Sequence, residues 1–363
     1  MIHQFIVREY MKKKQILYML GRPFSPFYSL FMRLRESLYR TGFLHVNRIG
    51  VPVISVGNLT MGGSGKTPVV QFIARFLRDN GWRPAVVSRG YGGVAGNRVN
   101  LVSDGRQVLL NASAAGDEPR LLADTLSGVP VLTGKVRKYP AARAVELGAD
   151  VLVLDDGFQH MALARDLDLV LFNADFLAGN SRVVFPGGDL REPVRALKRC
   201  HGFVMTGVCQ RNRAEAMRFA DLLHHHFPDH PVFMAGYRPT AILHWNSGIA
   251  MKTLPIDEVK GMNLFGFCGI AHPESFKEIL AETGLSLTGF KSFDDHYPYN
   301  QNDLKNIFLL AEQHGADACI TTEKDMVKLS KIEECTVPLY ALRMEVEFDS
   351  DFNTFLLSCL KGK

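Results

Sequence analysis

From residue 51 onward, apolar positions fall in short continuous runs separated by stretches whose apolar residues recur at helical spacing. Short apolar runs bounded by turn residues mark strands buried on both faces, and their alternation with amphipathic helices marks βαβ units and a parallel sheet. The runs predict strands over 51–56, 84–88, 131–133, 151–154, 167–172 and 202–205, with helices over 68–79, 118–126, 141–147 and 213–225. Residues 97–110 are less regular and read as a hairpin. Over 231–248 the texture changes to two extended pieces, which contain Pro239 and end near Gly248, and this segment reads as a linker. A second α/β unit is expected beyond it, with strands over 264–268, 285–293, 318–321 and 337–344 and helices over 273–283, 301–315 and 351–360.

The first fifty residues have a different pattern. Ser25-Pro26 reads as an N-cap followed by a first-turn proline. After it, Phe27, Leu30, Phe31, Leu34 and Leu38 repeat at helical spacing, with Arg33 and Arg40 off the stripe. The charge-free stretch Pro23–Met32 is far shorter than the roughly 20 residues a spanning helix needs. A basic amphipathic helix of this kind lies on a bilayer or packs against its own protein. No small-residue cleavage site follows an uninterrupted apolar run, so no secretory signal is expected.

Composition sharpens this division. Hydrophobic residues at 47% and charged residues at 22% are ordinary for a globular chain and exclude disordered and fibrous classes. The net charge is +5, yet residues 1–50 alone carry nine Lys/Arg against two acids, so the remainder is slightly acidic. The basicity therefore belongs to the amphipathic segment and suits an anionic membrane surface. Six cysteines without C-x-x-C or framework spacing suit reduced thiols in a cytoplasmic setting.

The strongest chemical signal is Gly62-Gly63-Ser64-Gly65-Lys66-Thr67, between an apolar strand and a helix. Glycines let successive amides turn toward phosphate oxygens, and the helix N-terminus adds partial positive charge. Lys66 would reach the β- and γ-phosphates and the Thr67 hydroxyl would ligate Mg2+. The general consensus has glycine where this chain has Thr60. Val151-Leu152-Val153-Leu154 delivers Asp155 and Asp156 to a strand end, where such folds hold the magnesium shell. Adjacent carboxylates on an extended chain point to opposite sides, so one would hold metal or its waters and the other would anchor the loop or cap a helix. Gly116-Asp117-Glu118-Pro119 opens a helix, and capping alone explains an Asp there. Ser88-Arg89-Gly90-Tyr91-Gly92-Gly93 ends a strand at the edge where ligands collect in open α/β sheets. Asp294-Asp295-His296-Tyr297-Pro298-Tyr299 combines acids, an imidazole and aromatics at a strand end. His224, His225, His226 and His230 suggest metal only by their number.

In this order, the segments from Ser55-Val56-Gly57-Asn58-Leu59-Thr60 through Phe185-Pro186-Gly187-Gly188-Asp189-Leu190-Arg191-Glu192-Pro193 to Thr321-Thr322-Glu323-Lys324-Asp325 resemble the tetraacyldisaccharide 4'-kinases of lipid A biosynthesis. Asp155-Asp156-Gly157-Phe158-Gln159-His160 and the segments quoted above belong to the same set. The resemblance implies an α/β fold: a P-loop NTPase-like, mostly parallel sheet over 51–230, a smaller C-terminal α/β domain over 249–363, and the membrane-associating segment 1–50 before them. It implies ATP held by residues 60–67, which include Thr60, Met61, Gly62, Gly63, Ser64 and Gly65, with Mg2+ held by Thr67, Asp155, Asp156 and Glu118. The acceptor would be the 4'-hydroxyl of a glycolipid, a tetraacylated disaccharide 1-phosphate, met peripherally at the cytoplasmic face of the bacterial inner membrane. Asp117 becomes the base with His296 as its partner, alongside the catalytic Lys66, while Arg89, Arg137 and Arg191 face the acidic head group. Neither nucleic acid nor a protein partner is expected. Two other readings are a nucleotide-driven switch and a kinase of a soluble metabolite. The guanine signature Asn-Lys-x-Asp is not met by Thr322-Glu323-Lys324-Asp325, and a soluble acceptor leaves the aromatic, basic N-terminus without a task.

Overall fold

The computed structural model describes residues 16–61, 63–177, 183–246, 249–270, 272–295, 297–329, 337–348 and 350–360. In chain order the strands are β1 (Val53–Asn58), β2 (Pro84–Ser88), β3 (Asn100–Ser103), β4 (Val131–Thr133), β5 (Val151–Asp155), β6 (Leu167–Asn173) and β7 (Gly202–Thr206). They continue with β8 (Val232–Asn246), β9 (Ile249–Leu254), β10 (Asn263–Cys268), β11 (Ser286–Ser292), β12 (Ala318–Thr322) and β13 (Leu339–Phe348). The chain forms two compact units: one from the described parts of 1–66, 137–236 and 348–363, the other from 67–136 and 237–347.

In the first unit β5, β1, β6, β7 and the start of β8 lie side by side, all parallel. Every residue of β1, β5 and β7 is buried. That is why these strands are continuous apolar runs rather than alternating ones: a parallel sheet is covered on both faces. Parallel register also brings the strand ends to one edge, where β1, β5, β6 and β7 finish in Asn58, Asp155, Asn173 and Thr206. Phe158, Val170, Phe203, Met205, Leu223 and Phe227 form a core under this edge. The helix Arg213–His226 contributes Ala216 and Leu223 to it. The C-terminal helix Ser350–Leu360 is seated by Phe352, whose ring packs on Phe233 at 5.1 Å.

The N-terminal helix spans Ser25–Arg40. Ser25 is not its N-cap, contrary to the sequence expectation, because the 3-10 turn Arg22–Phe24 already leads into it. The Ser25 hydroxyl instead donates to the Val184 carbonyl at 2.7 Å and accepts from the Gly187 amide at 2.9 Å, fixing the helix start to the body. Farther along, Arg35 donates to the Gln159 carbonyl at 3.0 Å and Glu36 pairs with Arg199 at 3.5 Å. Among its side chains only Ser25 and Met32 are buried.

In the second unit β2 and β4 pair in parallel and β3 lies antiparallel to β4. The strands β11, β10, β12 and β13 form a second parallel run. Side chains alternate across it. Phe265, Phe267, Cys319, Leu339 and Ala341 meet Leu304, Ile307 and Phe308 of the helix Gln301–Gln313, whereas Leu264, Ile320 and Leu342 meet Phe276 and Leu280 of the helix Pro273–Glu282. The segment expected to be a linker is largely the fifteen-residue strand β8. Its first residues pair with β7 and its later ones with β9, and Pro239 sits between the two pairings, where a missing N–H costs the ladder least.

Candidate functional site

The loop after β1 is held from outside by its carbonyls. Gln159 donates to the Asn58 carbonyl at 2.9 Å, Asn173 to that of Gly63 at 3.2 Å, and the Thr206 hydroxyl to that of Ser64 at 3.0 Å. In a trans peptide the next N–H points opposite to the carbonyl. The Ser64 and Gly65 amides are therefore turned to the other side, the arrangement that receives phosphate oxygens. Gly65 takes a φ of +70°, which only glycine adopts freely. Backbone pairing with the segment 189–191 steadies the approach: the Met61 amide donates to the Asp189 carbonyl at 2.8 Å and the Arg191 amide to that of Leu59 at 2.8 Å. Thr60 bridges Leu190 in strand fashion without a positive φ, so this position has no need of the consensus glycine. Gly62 lies outside the described residues.

The helix Lys66–Asp79 begins on the loop, with Thr67 as its second residue. The Lys66 ammonium lies 3.6 Å from Asp156 Oδ1. Asp155 ends β5 and is 1% exposed, while Asp156 turns away at φ +51°, the one positive-φ residue other than glycine among the described residues. This turn separates the two carboxylates. Arg191 donates to both Asp156 oxygens at 2.8 and 2.9 Å. Arg137 is 4% exposed and donates to the carbonyls of Asp155 and Asp156 at 3.0 and 2.8 Å. Burial alone pushes the Asp156 carboxyl up; the Lys66 ammonium and the Arg191 guanidinium, with Arg137 behind them, outweigh it and hold the group below the ordinary carboxylate range. Glu192, beside Arg191, shows the opposite balance: burial raises its carboxyl despite the Arg199 guanidinium at 2.9 Å.

In the second unit Asp117 and Glu118 open the helix Asp117–Thr125, and its N-cap is Gly116, which has no side chain to cap with. Both acids are partly exposed in the first turn, where the helix dipole favours negative charge. Gly116 stands at φ +93°, and a Cβ there would lie 2.3 Å from the Tyr91 carbonyl oxygen. A Cβ on Gly93 would lie 2.4 Å from the Ala114 carbonyl oxygen. Two glycine-bearing loops thus pack backbone to backbone and set Arg89, exposed at the end of β2, beside the start of the Asp117 helix. In the Asp294–Tyr299 segment, Lys324 Nζ donates to Asp295 Oδ1 at 3.2 Å and the Tyr297 hydroxyl to Asp303 at 3.2 Å. His296 lies outside the described residues.

A family model for tetraacyldisaccharide-1-P 4'-kinases matches residues 17–361. The chain belongs to that family. It is 46% identical to a tetraacyldisaccharide 4'-kinase of Desulfotalea psychrophila, over 96% of this chain and 98% of the relative. It is 38% identical to one of Syntrophus aciditrophicus, over 93% and 92%. The crystal structure of LpxK from Aquifex aeolicus in complex with ATP superposes with a TM-score of 0.74 at 30% identity, covering 93% of this chain and 98% of that one. This member of the kinase family thus has the α/β fold expected of it.

The sequence singled out Lys66, Asp155, Asp156, Arg137 and Arg191, and the first unit brings them together. In the second unit Arg89, Asp117 and Glu118 gather at one pair of loops. Gln159, Asn173 and Thr206 were not named as site residues. The signal that finds the last two is their place at the ends of β6 and β7, on the edge that carries the loop. For Mg2+ the donor set fits, since Asp155, Asp156 and the Thr67 hydroxyl are hard oxygen donors. Among the described residues no group of three or more His, Cys, Asp or Glu could hold a metal.

Proposed function

We propose that this chain transfers the γ-phosphoryl group of ATP to the 4'-hydroxyl of tetraacyldisaccharide 1-phosphate, a late step of lipid A biosynthesis, while bound peripherally to the cytoplasmic face of the bacterial inner membrane. The observation that carries the reading is the loop whose carbonyls are tied outward and whose Lys66 rests on Asp156, in a chain of this family. Phosphoryl transfer asks little covalent work of a protein, so alignment and charge neutralisation do most of it. The amides of residues 63–66 grip the triphosphate and Lys66 exchanges Asp156 for the β- and γ-phosphates. Thr67, Asp155 and Asp156, with Glu118, would hold Mg2+, and the ion would supply neutralisation of charge on the transferring group. Asp117, with His296, takes the proton of the acceptor hydroxyl. Arg191 and Arg89 meet the acidic head group. Arg137, buried on two carbonyls of the Asp155–Asp156 turn, contributes by keeping that turn in place. In functional terms 51–230 is the kinase segment and 249–363 a smaller partner to it.

The exposed stripe Phe24, Phe27, Leu30, Phe31 and Leu34, with Phe27 73% exposed, supports the membrane contact. No helix among the described residues is long and apolar enough to cross a membrane. Each ring contributes about 1.5–3 kcal/mol if fully buried in lipid, and each nearby Lys or Arg about 1 kcal/mol at an anionic surface. Family membership does not favour the nucleotide-switch reading. Purified protein incubated with γ-labelled ATP, Mg2+ and the disaccharide 1-phosphate in detergent should place label in the lipid; label released only as phosphate would reject the proposal. In parallel, Phe27→Ser with Phe31→Ser should weaken co-sedimentation with anionic liposomes while leaving the Ser25 and Arg35 bonds intact.

A further inference from the structure

The sequence Thr322-Glu323-Lys324-Asp325 has no part in the mechanism above, yet it occupies a structural crossroads. β12 ends at Thr322 and the helix Glu323–Leu329 starts at once. The Thr322 hydroxyl donates to Asp325 Oδ2 at 2.7 Å and accepts from the Asp325 amide at 3.1 Å. Asp325 is fully buried and also accepts from the Gly269 amide at 2.9 Å, at the end of β10, and from Lys328 Nζ at 3.1 Å. The helix start is thereby locked to two strand ends. Its body packs against the helix Asp117–Thr125. Glu323 is held by Arg343 of β13 at 2.8 Å.

From this fixed platform Lys324 reaches Asp295. That loop is also tied by the Tyr297 hydroxyl, which donates to Asp303 at 3.2 Å, and by backbone and ring contacts. The Phe293 amide donates to the Cys268 carbonyl at 2.8 Å, the Tyr297 amide to that of Asp294 at 3.1 Å, and the rings of Phe293, Tyr297 and Tyr299 pack on one another at 4.7 to 5.2 Å. A Cβ on Gly269 would stand 2.9 Å from the Tyr299 hydroxyl and 3.2 Å from the Asp294 carbonyl oxygen, so the loop rests directly on the end of β10.

We infer that Lys324 is a positioning residue for phosphoryl transfer: through Asp295 it sets the chain just past β11, at Phe293, Asp294 and Asp295, at a fixed offset from the helix that carries Asp117. The inference rests on the reading of Asp117 as the acceptor-side base. The Lys324 and Asp295 side chains are 23% and 33% exposed, and ion pairs of that exposure contribute little to folding. Their loss is therefore read in turnover rather than in stability. An offset wrong by about 1 Å costs up to about 10²-fold in rate.

The test uses the full chain in the lipid phosphorylation assay. Lys324→Met should lower kcat about 10-fold or more, with KM for ATP and for the lipid within about twofold and the melting temperature unchanged. Lys324→Arg should recover most of the loss. Asp295→Asn should resemble Lys324→Met, and the double variant should be no worse than the poorer single one. Independent, multiplying losses, a rise in lipid KM alone, or full activity of Lys324→Met would each overturn the inference, the second by making Lys324 a direct anion contact. Asp117→Asn, assayed beside them, separates the two readings. If it retains turnover, the base assignment fails whatever Lys324 does; if it loses turnover while Lys324→Met keeps it, only the positioning role fails.

Discussion

The phosphate loop and the Asp117 region solve the same problem of holding a charged group still, by opposite means. Around the loop, Gln159 and side chains from two strand ends grip backbone carbonyls, while Lys66 and Arg191 pair with the Asp156 carboxylate and Arg137 holds the carbonyls behind it. Around Asp117 glycines remove side chains altogether, so that two loops touch through their backbones. The first arrangement yields a site whose cations outnumber its carboxylate and whose Lys66 pairing is exchanged for that of an anionic ligand. The second yields a rigid bracket that presents a carboxylate at a helix start.

The largest expected effects break this comparison cleanly. Asp117→Ala should lower kcat by about 10² to 10⁴, the span of a lost general base, with nucleotide affinity kept. Lys66→Ala should lower turnover by about 10² to 10³, as loss of one charge-stabilising donor does, and weaken nucleotide binding as well. Steady-state kinetics with equilibrium binding of ATP separates them; identical behaviour of the two variants would dissolve the distinction.

A smaller effect sharpens the bracket. Gly116 combines φ +93° with ψ 155°, a region that is essentially glycine-only and costs other residues on the order of 1–3 kcal/mol. Gly116→Ala should therefore lower the melting temperature more than Gly42→Ala, whose φ is +77° but whose Cβ meets nothing within 4 Å. Equal losses would mean that the close approach to Tyr91 contributes nothing.

The smallest effect concerns pH. The folded Asp156 carboxyl lies below its ordinary value, so its ionised form stabilises the fold above the usual carboxylate range. That contribution disappears as pH falls through this range toward the folded value. Thermal melts from neutral to acid pH should show a shallower acid loss for Asp156→Asn than for the unaltered chain; parallel curves would contradict the charge balance.

Much of this was legible in the sequence because it is local. The loop, Lys66, Thr67, Asp155 and Asp156 sit in contiguous motifs beside apolar runs, and the strands of the first unit lie within a few residues of their expected positions. What was not legible depends on contacts far apart in the chain. Asn173 and Thr206 become loop anchors only when β6 and β7 lie beside β1, and Ser25 exchanged its expected capping role for partners more than 150 residues away. The strand β8 was hidden by Pro239, whose missing donor argues against a strand until the gap between two pairings is seen. The helix Glu323–Leu329 is too short to show a periodicity.

The central claim is that a triphosphate is gripped by the amides of residues 63–66 and draws Lys66 away from Asp156. Crystals of the full chain grown with Mg2+ and a non-hydrolysable ATP analogue test it directly. The account predicts β- and γ-phosphate oxygens against those amides, with the Lys66 ammonium on them and more than hydrogen-bonding distance from Asp156. A nucleotide bound elsewhere, with Lys66 still on Asp156, would contradict it.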